Sequence, residues 1–159
     1  MNIDIQPWET RLLDDLVLMW RASFLHGVGV RDPHTIQEQR EFFMEQLLPD
    51  HELRVAMAGD TLVGFVAATQ ESVSQLYVRV GWHRQGIGTQ LLDWAKAQSG
   101  GQLWLYAFQR NTVACAFYER HGFVAVARGV EPTWQLDDVK YAWAADGAKG
   151  GAAKSAGCR

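Results

Sequence analysis

Two glycines, an asparagine and a tyrosine are the residues whose types and spacing could do chemistry in this chain. Gly86 and Gly88 stand between an apolar run, Leu76, Tyr77, Val78 and Val80, and a stretch in which Ile87, Leu91, Trp94 and Ala95 recur with helical spacing. A glycine turn from a strand into a helix leaves several backbone N–H groups without partners, all aimed at one place, and the helix dipole adds positive charge there. Such a place binds phosphate. Glycine suits both positions because a Cβ would hinder the backbone angles and the close approach of a ligand. Further on, Asn111 can cap a helix whose face holds Ala114, Phe117 and Tyr118, with Gly122 as its terminator.

Spacing separates three phosphate-binding turns. A dinucleotide fingerprint requires a third glycine where this chain has Leu91, and a nucleotide-triphosphate loop requires a lysine where it has Ile87. The run His83-Arg84-Gln85-Gly86-Ile87-Gly88 resembles instead the acyl-CoA pyrophosphate turn of the GNAT N-acetyltransferases, Gln or Arg, two residues, Gly, one residue, then Gly or Ala. His83 departs from the usual first residue, and Arg84 keeps a cation at the turn. The segment from Asn111 through Tyr118 to Phe123 resembles that family's other signature, in which an Asn opens a helix and a Tyr follows seven residues later. Both blocks occur in family order with a strand between them. The resemblance spans about residues 3–143.

What it implies is a site for acetyl-CoA. The pantetheine arm would lie as a false strand beside Leu76, Tyr77 and Val78, with a backbone N–H near Val78 facing the thioester oxygen. His83, Arg84, Gln85, Gly86, Ile87, Gly88 and Thr89 would form the diphosphate turn, and Asn111 would touch the arm or the phosphates besides capping its helix. Arg84 can equally be a solvated surface cation. Tyr118 is the expected general acid: a thiol titrates near 8.5 and a tyrosine near 10, so a neutral phenol can donate to the leaving sulfur without an unusual shift. An ordinary core tyrosine would also suit its helix face.

Trp20, Phe24, Trp134 and the acidic pair Asp137-Asp138 come from segments that border the acceptor cleft in the resembled fold, and aromatics with carboxylates suit an amine. Trp20 also lies on the buried stripe of a helix. No single residue stands out as the base; Glu71, His26, Asp137 and Asp138 are candidates. Family members that acetylate protein N-termini carry a Glu where this chain has Tyr106. The expected reaction is therefore acetyl transfer from acetyl-CoA to the primary amine of a small molecule, without a metal. The alternatives are a protein or peptide acetyltransferase and a non-catalytic acyl-CoA-binding module.

The elements that must position these residues follow from periodicity. Ile3 and Ile5 mark a short edge strand; Leu12, Leu16, Trp20 and Phe24 mark a helix over roughly 10–24. The glycine-rich segment from His26 to Arg31 should be a mobile loop, and Asp32-Pro33 should start a second helix that carries Ile36, Phe43 and Leu47 up to Pro49. Leu53 to Thr69, turned at Gly59-Asp60, reads as a hairpin leading into the strand at Leu76. Leu103 to Phe108 is a nearly continuous apolar run, as in a strand covered on both faces, and Phe123 to Ala127 and Val139 to Trp143 are the last strands. The expected class is α/β (α+β), a GNAT fold with a mixed central sheet of about seven strands, about four helices on its two faces, and a splay between strands 4 and 5.

At 159 residues, 48% hydrophobic and 21% charged, the chain suits one domain, over 1–143, followed by an Ala/Gly/Lys tail over 144–159 expected to be disordered. A net charge of −3 without a basic stripe points away from nucleic acid. Two cysteines, one within a helix and Cys158 in the tail, suit a reducing cytoplasm. No signal peptide or membrane-spanning run is visible, and a homodimer is expected from the resemblance.

Overall fold

The computed structural model describes residues 2–146. Seven strands and four α-helices follow one another as β1 (Ile3–Pro7), α1 (Leu13–Val28), α2 (Ile36–Phe42), β2 (Glu52–Ala58), β3 (Thr61–Ala68), β4 (Val73–Val78), α3 (Ile87–Gln98), β5 (Gln102–Phe108), α4 (Thr112–Arg120), β6 (Val124–Glu131) and β7 (Leu136–Ala144). A 3-10 turn leads into α1, and a wide π turn and a 3-10 turn carry the chain from α2 to β2.

The strands form two sheets, β1-β2-β3-β4 and β5-β7-β6, and every ladder within them is antiparallel. They meet where Ser72 and Trp104 form a single parallel bridge and the Trp104 N–H donates to the Glu71 carbonyl at 3.0 Å. Beyond that point β4 and β5 part. The expected splay is present, and it divides what the sequence suggested as one mixed sheet into two. A bulge shifts the β3–β4 register between Ala67 and Ala68, just where β4 leaves the bridge.

One core lies under α3 and α4, where Ile87, Leu91, Leu92 and Ala95 meet Val63, Val66, Leu103, Leu105 and Tyr141. A second lies under α1 and the π turn, where Leu16, Trp20, Phe43 and Leu47 meet Val55, Met57 and Phe65. Burial of these side chains, about 1.5–3 kcal/mol each, fixes α3 and α1 on opposite faces of the first sheet, while α4 packs against β5 of the second.

Three expected boundaries moved. Helix α1 runs through Gly27 to Val28 and ends at Gly29, whose φ of 79° suits a glycine terminator, so the proposed loop is largely helix. Helix α2 begins later than Asp32-Pro33: Thr35 caps it, with the Thr35 hydroxyl accepting from the Glu38 N–H and the Glu38 carboxylate accepting from the Thr35 N–H. Asp32 instead accepts from the His34 N–H at 2.8 Å, an Asx turn before the helix. At the far end, Ala144 is still in β7, paired with Gln102, and the Ala145 N–H donates to Gly101. The expected tail from 147 onward, Cys158 included, lies outside the described residues.

Candidate active site

The parted strands leave a narrow cleft of about 50 Å³, partly open to solvent, walled by Val73–Tyr77 on one side and Tyr106–Phe108 on the other, with Val28, Asn111, Ala114 and Tyr118 closing it. The β3–β4 ladder shows which main-chain groups face it. The Arg79 N–H donates to Val63 across the ladder at 2.7 Å, so Arg79 and Tyr77 direct their polar groups toward β3. Leu76 and Val78, in alternate positions, direct theirs toward the gap. The Ser23 hydroxyl donates to the Val78 carbonyl at 2.8 Å, tying α1 to that edge.

Downstream of β4 the turn winds through three left-handed residues, Gly81 (φ 92°), Arg84 (φ 65°) and Gly86 (φ 78°). Gly86 caps α3, and its carbonyl accepts the helix's first bond, from the Gln90 N–H at 3.0 Å. The N–H groups of Ile87, Gly88 and Thr89 precede that bond and therefore have no partner within the helix. A Cβ at Gly86 would meet nothing within 4 Å, so the backbone angle alone calls for glycine there. Gly88 has a different reason. A Cβ would stand 3.2 Å from the Phe117 ring, so this glycine lets α4 close on α3.

Side chains around the turn are partly engaged. Ile87 is buried in the core, Thr89 Oγ1 lies 3.2 Å from His121 Nε2, and His83 stacks on His26 with ring centres 5.7 Å apart. Burial, and then the neighbouring His26 charge, holds the His83 ring below the usual histidine range. Arg84 and Gln85 are exposed at the rim.

Helix α4 carries the two remaining family positions. Asn111 Oδ1 accepts from the Ala114 N–H at 3.1 Å, which makes Asn111 both the cap of α4 and part of the cleft wall. Its Nδ2 lies 2.7 Å from where a Cβ on Gly27 would be, so the end of α1 sits directly on it. Arg110 Nε donates to the Val28 carbonyl at 3.1 Å and reinforces that seam. At the other end of α4 the Tyr141 hydroxyl donates to Glu119 at 2.6 Å and Lys96 Nζ donates to the His121 carbonyl at 2.7 Å. Tyr118, between these anchors, is 8% exposed and lines the cleft among Phe117, Phe123 and Tyr141. Burial pushes its phenol well above the ordinary tyrosine range, with Tyr77 and Cys115 adding to the shift. Tyr118 thus keeps its proton at neutral pH and holds it more tightly than a free tyrosine.

The acceptor-side expectations separate. Phe24 and Trp134 meet, with ring centres 4.7 Å apart, and both contact Phe108, at 6.0 and 6.2 Å, in a small aromatic cluster with Val28. Trp20 belongs to the core, edge-on to Phe65 at 5.6 Å, and does not line the cleft. Asp138 is 2% exposed on β7, paired with Phe108 and Gly129. Glu71 is exposed in the turn where the sheets meet, and its carbonyl serves Trp104. Sequence reading missed Ser74, Gln75, Tyr106 and Phe108 as cleft residues; the apolar run that marks β5 signals burial without telling a cleft wall from core. Among the described residues no group of three or more His, Cys, Asp or Glu is placed to hold a metal, and no helix is long and apolar enough to cross a membrane.

A family model described as an acetyltransferase (GNAT) domain matches residues 49–125, which include the glycine turn, Asn111 and Tyr118. The chain is 28% identical over 140 residues, 87% of its length and 92% of the other, to a peptidyl-lysine N-acetyltransferase, YjaB, of Salmonella typhimurium. Its fold is similar to a solution structure of apo YjaB from Escherichia coli, with a TM-score of 0.75 and 22% identity, covering 91% of this chain and 99% of that one. It is also similar to PaiA N-acetyltransferase of Thermoplasma acidophilum in complex with coenzyme A, with a TM-score of 0.69 and 21% identity over 88% and 98% of the two chains.

Proposed function

We propose that the chain is a GNAT-family acetyltransferase that moves the acetyl group of acetyl-CoA to the primary amine of a small molecule in the cleft between β4 and β5. The observation that carries this reading is the cleft along the unladdered edge of β4, with Asn111 and Tyr118 in its wall and the glycine turn into α3 following β4 in the chain. These features fit the donor. Unpartnered amides of Ile87, Gly88 and Thr89 suit a diphosphate, and the outward main-chain groups of Leu76 and Val78 suit the amides of a pantetheine arm. Bound acetyl-CoA supplies an activated acyl group on a good leaving group.

The protein's part is to orient and to stabilise charge. The Val78 N–H, directed into the gap, donates to the thioester oxygen as negative charge builds there. An unprotonated amine forms the new N–C bond as the C–S bond breaks, and the departing sulfur takes a hydrogen bond from Tyr118. Since the phenol holds its proton tightly, its contribution is stabilisation of the thiolate as much as transfer to it. Phe24, Phe108 and Trp134 pack into an apolar cluster that would exclude water from the acceptor end and offer an aromatic face to an alkyl amine.

A second reading has a specific observation behind it. The similarity to a relative named for peptidyl-lysine acetylation favours a lysine side chain of a protein as acceptor. Both acceptors present the same alkylamine, so the assay must compare them directly. Release of free thiol from acetyl-CoA is measured with a panel of small amines and with lysine peptides, for wild type and Tyr118→Phe. Turnover of small amines that falls at least about tenfold in Tyr118→Phe, at unchanged CoA affinity, supports the first reading. Turnover of peptides alone transfers the assignment to the second, and equal turnover by the Phe variant removes the phenol from the mechanism.

A further inference from the structure

We propose that the phenol of Tyr77 receives the acceptor, its oxygen taking a hydrogen bond from the amine N–H and holding the nitrogen beside the thioester carbon. The role rests on the acetyl-transfer reading above. Tyr77 lines the cleft, as do Val28 and Phe108. The same three belong to the acceptor end: Val28 and Phe108 form the aromatic cluster with Phe24, and Tyr77 packs against it. Of the side chains common to cleft wall and cluster, Tyr77 alone carries a polar atom. It also stands next to Val78, whose main-chain groups are directed into the gap.

The pleat of β4 decides which way the ring faces. Leu76 and Val78 pack against the core under α3 and α4, whereas Tyr77 packs against the α1 core and the aromatic cluster. Its main-chain groups are directed toward β3, so what Tyr77 gives the cleft wall is its side chain. The ring lies over Phe65, with centres 6.1 Å apart and 22° between planes, and stands 6.4 Å from Trp20. Tyr118 lines the same cleft from the core under α3 and α4. The two phenols therefore serve different partners, Tyr118 the leaving sulfur and Tyr77 the amine arriving from the α1 side. Burial pushes the Tyr77 phenol up to about 12, with the Asp32 carboxylate adding to the rise, so it stays neutral and acts as a hydrogen-bond partner, not as a base. An amine held through one N–H keeps its lone pair free to meet the acyl carbon. The side chains of Val28 and Phe108 offer no second polar partner, so the acceptor that fits carries its nitrogen on an apolar stem.

Tyr77→Phe tests this, because it removes one oxygen and keeps the stacked ring. Thiol release from acetyl-CoA is measured with the small amines and the lysine peptides. For the acceptors that wild type uses, kcat/KM should fall about threefold to tenfold, the worth of one neutral hydrogen bond, chiefly through a higher acceptor KM. CoA affinity by titration should stay within about twofold of wild type, since the donor's contacts are untouched. Tyr118→Phe should show the opposite split, a lower kcat at an unchanged acceptor KM. An acceptor KM in Tyr77→Phe equal to wild type overturns the role, and so does a loss matched by CoA affinity, which marks a ring that only shapes the cleft; both leave the acetyl-transfer reading standing. A wild-type protein that binds no CoA, or releases thiol with none of the acceptors, overturns that reading and this role with it.

Discussion

Replacing Gly27 by alanine sets two effects of known size against each other. Gly27 lies inside α1, where alanine is favoured over glycine by about 0.5–1 kcal/mol. The added Cβ would stand 2.7 Å from Asn111 Nδ2, closer than such atoms approach, so the asparagine must move. Its Oδ1 then loses the 3.1 Å bond from the Ala114 N–H, and loss of a helix cap costs about 1 kcal/mol. The two nearly cancel, and the melting temperature should shift by no more than about 3 °C in a chain of this length. Function should not cancel. Asn111 leaves the cleft wall and the first turn of α4 shifts, so kcat/KM should fall at least about tenfold, equivalent to about 1.4 kcal/mol of transition-state binding. Thermal melts and thiol-release kinetics on Gly27→Ala, with Asn111→Ala as companion, decide it. The companion loses the cap with no helix gain and should melt about 3 °C lower. Wild-type turnover in Gly27→Ala would refute the claim that the end of α1 positions the cap of α4.

Gly86→Ala should be destabilised by about 1–2 kcal/mol from its left-handed backbone alone, because nothing crowds its Cβ; isothermal titration should show weaker CoA binding, and unchanged affinity would detach the turn from the diphosphate. Acidification should destabilise the protein through His83 and His121, both held below the usual histidine range, chiefly by burial. The unfolded chain then binds protons the folded chain resists, so stability is intact above about pH 6.5 and declines as pH falls below it toward the lowered folded values. Melting curves between about pH 8 and 5 should show that slope, and His83→Gln with His121→Gln should flatten it; an unaltered slope in the double variant would contradict the assignment.

The turn was legible because its requirement is local: a left-handed residue at the start of a helix calls for glycine, and Gly86 stands there. Asn111 and Tyr118 were legible together because cap and phenol share one short helix. Gly27 misled for a physical reason. Its lack of a side chain serves contact with Asn111, a neighbour only in the folded chain, so local reading took it for a helix breaker. Trp20 and Phe24 recur on one apolar stripe, yet the first packs on Phe65 and the second on Trp134 and Phe108. One residue packs in the core and the other in the aromatic cluster with Phe108, next to the cleft. Ser74 escaped notice for the same cause: it belongs to no motif, and only the bulged strand places it in the cleft wall.

A structure of the protein with CoA bound addresses the main claim most directly. The account predicts the diphosphate on the amides of Ile87, Gly88 and Thr89, the arm along Leu76 to Val78, and the thiol within hydrogen-bonding distance of the Tyr118 hydroxyl. CoA seated elsewhere, or a thiol remote from that phenol, would contradict it.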